Sequence, residues 1–348
     1  MHPDTLKFYK YTPIKKSQFA GKFCRIPFDT IQIDHDGDVQ LCDCQLHMPY
    51  TIGNIFKNSL QEIWTNHEAN QVRQSVADGD FTYCNWACAG LHNLEPRPSA
   101  LPQVRSFPKI IKLDLDLSCN LKCASCREHV IIEKNSEKIQ KQIYLFEEIK
   151  QWALANPTEF VTIKPMTSGE IFSSHSGLKF LNSLNDYPYQ NLKLYITSNG
   201  TLITKNRTLL DKINPLIVAW SISIDAAGPE TYSQVRGGDW DVLCQGLEYI
   251  KRFGRPVSLN FVVQKKNFHE IEKFAEFANR YANSINYTNL LDWGHWTIKW
   301  WHDNNVLDRH SENYKAVLHS LQQVKNQYSD KVSFSANILK NLKKIEHN

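Results

Sequence analysis

At 348 residues the chain has room for one large domain or two smaller ones. Hydrophobic residues make up 42% and charged residues 22%, an ordinary globular composition with enough apolar material for a sizeable core. The 40 basic and 36 acidic residues leave a net charge of +4, too balanced to point to nucleic acid, and no apolar run approaches the ~18 residues of a membrane helix.

The opening segment, MHPDTLKFYKYTPIKK, lacks the apolar core of a signal peptide, so a cytoplasmic location is the expectation. Thiols stay reduced there, and clustered cysteines point to metal ligation rather than to disulfides. The nine cysteines are unevenly placed. Cys24, Cys42, Cys44, Cys84 and Cys88 form one set, Cys119, Cys123 and Cys126 a second, and Cys244 stands alone. Two sets predict two metal centres.

Residues 30–44, TIQIDHDGDVQLCDC, predict a hairpin: Ile31 and Ile33 alternate before Asp36-Gly37, and Val39 and Leu41 follow it. Residues 59–76 predict one helix, with Ser59 and Glu62 in a capping-box pattern and Leu60, Ile63 and Trp64 as its apolar face. The proline-rich LEPRPSALPQ at 94–103 predicts a boundary. Six β-rich runs follow, at 110–118, 160–166, 193–198, 217–225, 257–263 and 284–291, with helical periods such as 273–282 between them. That alternation predicts parallel strands joined by crossover helices, in a sheet or partial barrel with its functional groups at the carboxyl ends of the strands. No G-x-G-x-x-G follows the first strand, which disfavours a dinucleotide fold. DWGHWTIKWW at 292–301 carries four tryptophans; core or interface packing is the first reading and a substrate platform the second. Tyr314, Val317, Leu318, Leu321, Val324 and Tyr328 recur at helical spacing and predict a packed helix.

The first strand of the array runs straight into SCNLKCASC at 118–126. Thiolates favour zinc or iron–sulfur clusters. A zinc site closes with four ligands, and this loop offers three. A four-iron cluster held by three cysteines leaves one iron open to a substrate or cofactor. The alternative is a zinc knuckle completed by Cys244 or His129.

Cys-x3-Cys-x2-Cys directly after the first strand of a βα array resembles the radical S-adenosylmethionine (radical SAM) superfamily. Further motifs of that superfamily appear in order over roughly residues 108–292. TSGE at 167–170 is similar to its Gly-Gly-Glu motif, and ITSNGT at 196–201 to its Thr-Asn-Gly turn. SISIDAAGPETYSQVRGG at 221–238 is similar to its fourth-strand segment, and VVQKKN at 262–267 to the fifth-strand segment that helps hold the nucleoside. The resemblance implies a [4Fe-4S] cluster on Cys119, Cys123 and Cys126. It implies S-adenosyl-L-methionine (SAM) held at its amino group by Ser168, Gly169 and Glu170, and at its carboxylate by Ser223 and Arg236. Asn199 lies in the third-strand turn, and Asp225 is placed to support the ribose side. A carboxylate suits an ammonium and a guanidinium suits a carboxylate, so the implied roles are chemically consistent. Ser125 stands where the family often has an aromatic residue, and Ser168 where it has a first glycine.

The N-terminal set is similar to the SPASM/twitch auxiliary-cluster domains. The matching residues are Cys24-x-x-Pro-Phe, Gly37-x4-Cys42, Gly53-Asn54-Ile55, Leu60-x-x-Ile63-Trp64 and Cys84-x3-Cys88. In most relatives this module follows the radical SAM domain; here it precedes it. The resemblance implies one auxiliary [4Fe-4S] cluster on Cys24, Cys42, Cys84 and Cys88. Cys44 is a spare or an alternative to Cys42, since residues two apart on a strand share a face. A four-cysteine zinc site is the alternative. His35, His47 and His67 read as surface residues, and Cys244 as a buried core thiol.

The expected fold class is α/β: a partial (βα)6 TIM-like barrel preceded by a small cysteine-rich α+β domain. The expected division is an auxiliary-cluster domain at 1–95, a linker at 96–107, the barrel at 108–292 and a helical extension at 293–348. The implied activity is reductive cleavage of SAM to a 5′-deoxyadenosyl radical, removal of a substrate hydrogen atom, and oxidation or cross-linking of a peptide or protein side chain. Oxidation or epimerisation of a sugar or alcohol is the alternative within the class. A non-catalytic zinc or iron–sulfur protein is the alternative outside it, and leaves Glu170, Ser223 and Arg236 without a role. The expected partners are the peptide or small-molecule substrate and an electron donor such as flavodoxin or ferredoxin, with neither nucleic acid nor membrane.

Overall fold

The computed structural model describes Ile14 and residues 19–42, 47–86, 88, 90–91, 94–114, 116–165, 168–188, 190–291 and 296–346. Cys44, Thr167 and residues 292–295 of the tryptophan-rich segment lie outside these. The described residues fall into two compact units. One runs from Ile14 to Ser118 and from Ile132 to Tyr195; the other comprises Cys119–Ile131 and the chain from Ile196 onward.

In the first unit the expected hairpin follows a short helical turn at Ile26–Asp29. Strands β1 (Thr30–Ile33) and β2 (Asp38–Gln40) pair antiparallel. Asp34 Oδ1 accepts the N–H groups of Asp36 and Asp38, which closes the turn from within. Gly37 sits at φ +80°, and a Cβ there would lie 2.7 Å from the Phe56 ring. Gly53 is equally tight, with a Cβ position 2.9 Å from Ile63, while Asn54 Nδ2 donates to Asp38 Oδ1. The glycines of the motif are therefore places where backbone passes close under side chains.

Residues 59–76, expected as one helix, form two: α1 (Leu60–Thr65) and α2 (His67–Ala77). The Ser59–Glu62 capping box is present in both directions. Asn66 causes the break, because its side chain accepts the N–H of Ala69 and so caps the second helix rather than continuing the first. Trp64 is fully buried, donates Nε1–H to Arg105 O at 2.8 Å, and carries the Arg73 guanidinium 4.2 Å from its ring centroid.

Strand β1 also pairs in parallel with β3 (Ile110–Leu113), which pairs with β4 (Val161–Pro165) and then β5 (Leu192–Ser198). Helices α3 (Ser136–Ala155) and α4 (His175–Ser183) connect these strands and stack Phe146 on Phe180 at 4.2 Å. Ile31, Ile33, Ile111, Leu113, Val161, Ile163, Leu192 and Leu194 are wholly inaccessible, while Lys112, Thr162, Lys164, Lys193 and Tyr195 alternate with them, half-buried. Burying each of those aliphatic side chains stabilises the fold by roughly 1.5–3 kcal/mol. Residues 94–103 run exposed for most of their length, with Glu95–Pro96 paired antiparallel to Lys22–Phe23.

In the second unit the end of β5 is followed, in sheet order, by β6 (Ile217–Ser223), β7 (Val257–Val263), β8 (Ser284–Asn289) and β9 (Val332–Phe334). Strand β7 pairs in parallel with β6 and with β8, and β8 pairs in parallel with β9. Helices α5 (Arg207–Ile213), α6 (Pro229–Arg236), α7 (Trp240–Lys251), α8 (Ile271–Ala278), α9 (Ile298–Asn304), α10 (Tyr314–Gln327) and α11 (Ala336–Glu346) alternate with them or follow them. The fold is α/β with mostly parallel strands, as expected. The tail, expected as purely helical, also contributes β9, where Phe334 stacks on Tyr287 at 5.8 Å. Cys244, expected in the core, lies half-buried on α7. No helix among the described residues is long and apolar enough to cross a membrane.

The Gly37 turn is directly testable. Gly37→Ala should destabilise by about 1–2 kcal/mol from backbone handedness, plus the added clash with Phe56. Gly254→Ala, at φ +62° in open space, should show the handedness cost alone. Chemical denaturation of both variants checks the difference, and equal losses would mean that Phe56 gives way freely.

Candidate active site

Cys119 begins an irregular loop that backbone bonds hold at both ends. The Cys119 N–H donates to Ile131 O at 2.7 Å and the Ala124 N–H to Val235 O at 2.9 Å. Within the loop, the N–H groups of Cys126 and Arg127 both donate to Cys123 O. Cys119 and Cys123 are buried with Leu121, and half-buried Cys126 packs against them. The three thiols are thus gathered in one place.

The end of β5 supports this loop. Asn199 Nδ2 donates to Asn120 Oδ1 at 2.9 Å and lies 3.7 Å from Cys119 Sγ. Its Oδ1 accepts from the N–H and the Oγ1–H of Thr201, and Asn120 Nδ2 donates to Thr201 Oγ1. Gly200 between them has φ +83° and no space for a Cβ, which would lie 2.5 Å from Leu243. The Asn-Gly-Thr turn is therefore a brace for the first cysteine.

The ends of β6 and β7 build a second brace. Asp225 follows β6 at φ +60°, a left-handed conformation rare outside glycine. One of its carboxylate oxygens accepts the Val262 N–H at 2.7 Å, and the other pairs with Arg236 Nη1 at 2.9 Å. Both oxygens are thus engaged inside the protein, which makes Asp225 a holder of Arg236. Asn267 fixes the turn from the other side: its Nδ2 donates to Asp225 O and Val262 O, and its Oδ1 accepts the Gln264 N–H. Ser223 lies half-buried at the end of β6.

Electrostatics tie Arg236 to the cysteines. Burial opposes the Arg236 charge, but Cys123 and Asp225 outweigh it and hold the guanidinium above its ordinary value. Burial likewise pushes the Cys123 thiol up, to about 11. Arg236 pulls against that shift, while Cys126, Asp225 and Cys119 add to it. Arg127, a residue the motif reading did not single out, donates Nε–H to Cys126 Sγ at 3.4 Å.

The remaining expected residues lie in the first unit. Glu170 is fully buried; its N–H donates to Ser118 O at 2.7 Å and its Oε1 accepts the Phe172 N–H. Ser118 immediately precedes Cys119 in the chain. Ser168 is exposed and donates to Asp114 Oδ1 at 2.9 Å, and Gly169 between them is half-buried. Asp114 also accepts from Gln32 at 2.7 Å. Asp116 accepts from the Ser118 N–H and from Ser174 Oγ, which fixes the stretch of chain ending at Ser118.

The N-terminal thiols are gathered as well. Cys42 and Cys84 are buried, and Cys24 and Cys88 half-buried. Burial, then Cys42, Cys24 and Cys88, push the Cys84 thiol far up. Three thiols within electrostatic reach of Cys84 suit a four-ligand centre. His35 and His47, expected at the surface, are half-buried, whereas His67 is exposed. His129 is exposed, and the charged neighbours of Cys244 are Asp241, Glu248 and Arg280. Among the described residues, no three Cys, His, Asp or Glu side chains form a shell for a single metal ion. A four-iron cube holds its cysteine sulfurs further apart than one ion does.

The donor sets fit the implied groups. Three thiols suit a cluster with one open iron, and four suit a closed one. Arg236 Nε and both amide atoms of Gln264 are buried without a partner, at the strand ends where a polar ligand is expected. Arg127 and the positioning role of Asn267 were not legible as site features. VVQKKN drew notice as a motif, but nothing in it marks asparagine as the holder of Asp225.

Comparison with known proteins follows the same lines. Residues 24–89 match the SPASM iron–sulfur cluster-binding domain and residues 117–278 the radical SAM superfamily, in the order expected. The chain is 25% identical over 174 residues to an AdoMet-dependent heme synthase of Methanosarcina barkeri, covering 49% of this chain and 47% of that protein. It is 27% identical over 175 residues to the antilisterial bacteriocin subtilosin biosynthesis protein AlbA of Bacillus subtilis, covering 49% and 37%. The chain spans about half the length, or less, of these curated relatives. Streptococcus suis SuiB bound to S-adenosylmethionine aligns with a TM-score of 0.43 at 16% identity, over 81% of this chain and 54% of that one.

The buried ion pair makes a stability prediction. Arg236→Met leaves Asp225 uncompensated at 1% side-chain exposure and should cost about 3–5 kcal/mol. Arg236→Lys keeps the charge and should cost less. Equal losses in chemical denaturation would mean that packing, not charge, is what Arg236 contributes.

Proposed function

We propose that this chain, a radical SAM enzyme with a SPASM domain on its N-terminal side, oxidises or cross-links a side chain of a peptide or protein. The observation that carries the catalytic reading is the gathering of Cys119, Cys123 and Cys126 in one buried loop beside a charged Arg236. When bound, the reduced cluster with SAM supplies a 5′-deoxyadenosyl radical that takes a hydrogen atom from an unactivated carbon.

The protein's own work is to hold and orient. Cys119, Cys123 and Cys126 ligate the cluster and leave one iron for SAM. Arg236 and Ser223 take the SAM carboxylate, while Glu170, flanked by Ser168 and Gly169, takes its ammonium. Asn199 keeps the cysteine loop in place, and Asp225 keeps Arg236 aimed. Cys24, Cys42, Cys84 and Cys88 hold one auxiliary [4Fe-4S] cluster. The division at 1–95, 96–107, 108–292 and 293–348 is retained, with a flavodoxin- or ferredoxin-like donor and a cytoplasmic setting.

Two observations support a peptide substrate. Trp296 and Trp300 stack at 4.6 Å on and beside α9, which also exposes Ile298, and such an aromatic ledge suits a side chain. One relative is named for biosynthesis of the bacteriocin subtilosin. A small-metabolite substrate is the second reading, favoured by relatives named as AdoMet-dependent heme synthase and probable GTP 3′,8-cyclase.

Anaerobic reconstitution should give about eight irons per chain, for two four-iron centres. Reduction with dithionite in the presence of SAM should release 5′-deoxyadenosine, and replacing any of Cys119, Cys123 or Cys126 by Ala should abolish release. About four irons with one zinc would remove the auxiliary cluster and keep the enzyme. A fully loaded, reduced protein that releases none would leave only a binding role. A mass change in peptides, but not in sugars or alcohols, incubated with the active enzyme decides the substrate class.

A further inference from the structure

Arg127 has no part in the ligand set proposed above, yet it touches one of the three thiols. Its Nε–H donates to Cys126 Sγ at 3.4 Å, on the residue next in the chain. Its guanidinium is half-buried. The other two thiols have neighbours of their own, since Asn199 faces Cys119 at 3.7 Å and Arg236 acts on Cys123. The Leu121 N–H also lies 3.5 Å from Cys119 Sγ, so Arg127 brings to Cys126 the kind of donor that Cys119 has from an amide.

We infer that Arg127 is a positioning residue that raises the reduction potential of the cluster held by Cys119, Cys123 and Cys126. One-electron reduction adds a negative charge to a group already ligated by three thiolates, and breaks no bond in the protein. A cation hydrogen-bonded to one of those thiolates favours the more negative state, and hydrogen bonds to sulfur are among the levers that set such potentials. Half-burial strengthens the effect, because the charge acts through a medium less screening than water. Lysine keeps the charge but lacks the planar Nε–H beside its own backbone, so it should replace Arg127 only in part. The inference rests on the ligand reading under the proposed function, which the iron content and SAM response of the unaltered protein test separately.

The experiment compares the unaltered chain with Arg127→Gln and Arg127→Lys, each reconstituted anaerobically and its iron counted. Electron paramagnetic resonance follows the signal that changes on adding SAM, across a series of buffered potentials. Arg127→Gln should carry the same iron. Its ratio of reduced to oxidised cluster at a fixed potential should fall about tenfold, a shift of about 59 mV to more negative values for one electron. Arg127→Lys should recover part of the shift. An unchanged midpoint in Arg127→Gln overturns the inference. Loss of iron from both variants also overturns it, since Arg127 would then be needed to assemble the site rather than to tune it. If only Arg127→Gln loses iron, the lysine variant decides: a midpoint below the unaltered protein's supports the inference, and an equal one overturns it.

Discussion

A buried thiol at Cys123 resists being charged, and the ends of β6 and β7 carry the groups that answer it. A cysteine ligates metal as the thiolate, but burial and its neighbours push Cys123 up to about 11. Positive charge must therefore come from the protein or from the metal. Arg236 supplies part of it, and a buried guanidinium needs an anion of its own, which is Asp225. Asp225 holds that position from a left-handed turn, and Asn267 and the Val262 N–H secure the turn. One electrostatic requirement at a cysteine thus reaches through four residues to the ends of β6 and β7.

The N-terminal centre handles the same requirement differently. The groups that raise Cys84 are burial and the other three thiols, with no cation among them. Under the proposed ligand set, the charge of a bound metal would be the compensation there. Because ligands must lose their protons to bind, metal binding at such a site is coupled to pH and to local folding. The tight glycine contacts at Gly37 and Gly53, and the buried Trp64–Arg73 stack, give that region a frame of its own.

Much of this was legible in the sequence, for reasons that differ by element. The six strands were readable because β-branched runs alternate with helical periods, and all six are present. Their far ends were less readable: 110–118 stops as a strand at Leu113 and 217–225 at Ser223. Beyond those points side chains such as Asp116 and Asp225 take over the backbone's hydrogen bonds. The break at Asn66 was missed for the same reason, since the periodicity continues across it while the cap does not. The cysteines were found by spacing. Arg127 was not, because a charged residue after a ligand carries no pattern until its partner is known. The burial of Cys244 was misjudged because a helical period places a residue on a face without saying how much of that face is covered.

The strand ends also explain why the site residues sit where they do. Inside a parallel array each residue's backbone is committed to two neighbours and its side chain to one face or the other. Positions with freedom lie within about one turn past the end of the strand. Asn199 and Gly200 follow β5, Asp225 follows β6, and Gln264 and Asn267 follow β7. Gly200 at φ +83° and Asp225 at φ +60° show the backbone leaving the strand conformation at those points. The rigid strands set the origin of each turn, and the turns set the side chains. A braced turn of two or three residues therefore aims a guanidinium or an amide as firmly as a strand does, while its sequence stays free to change chemistry.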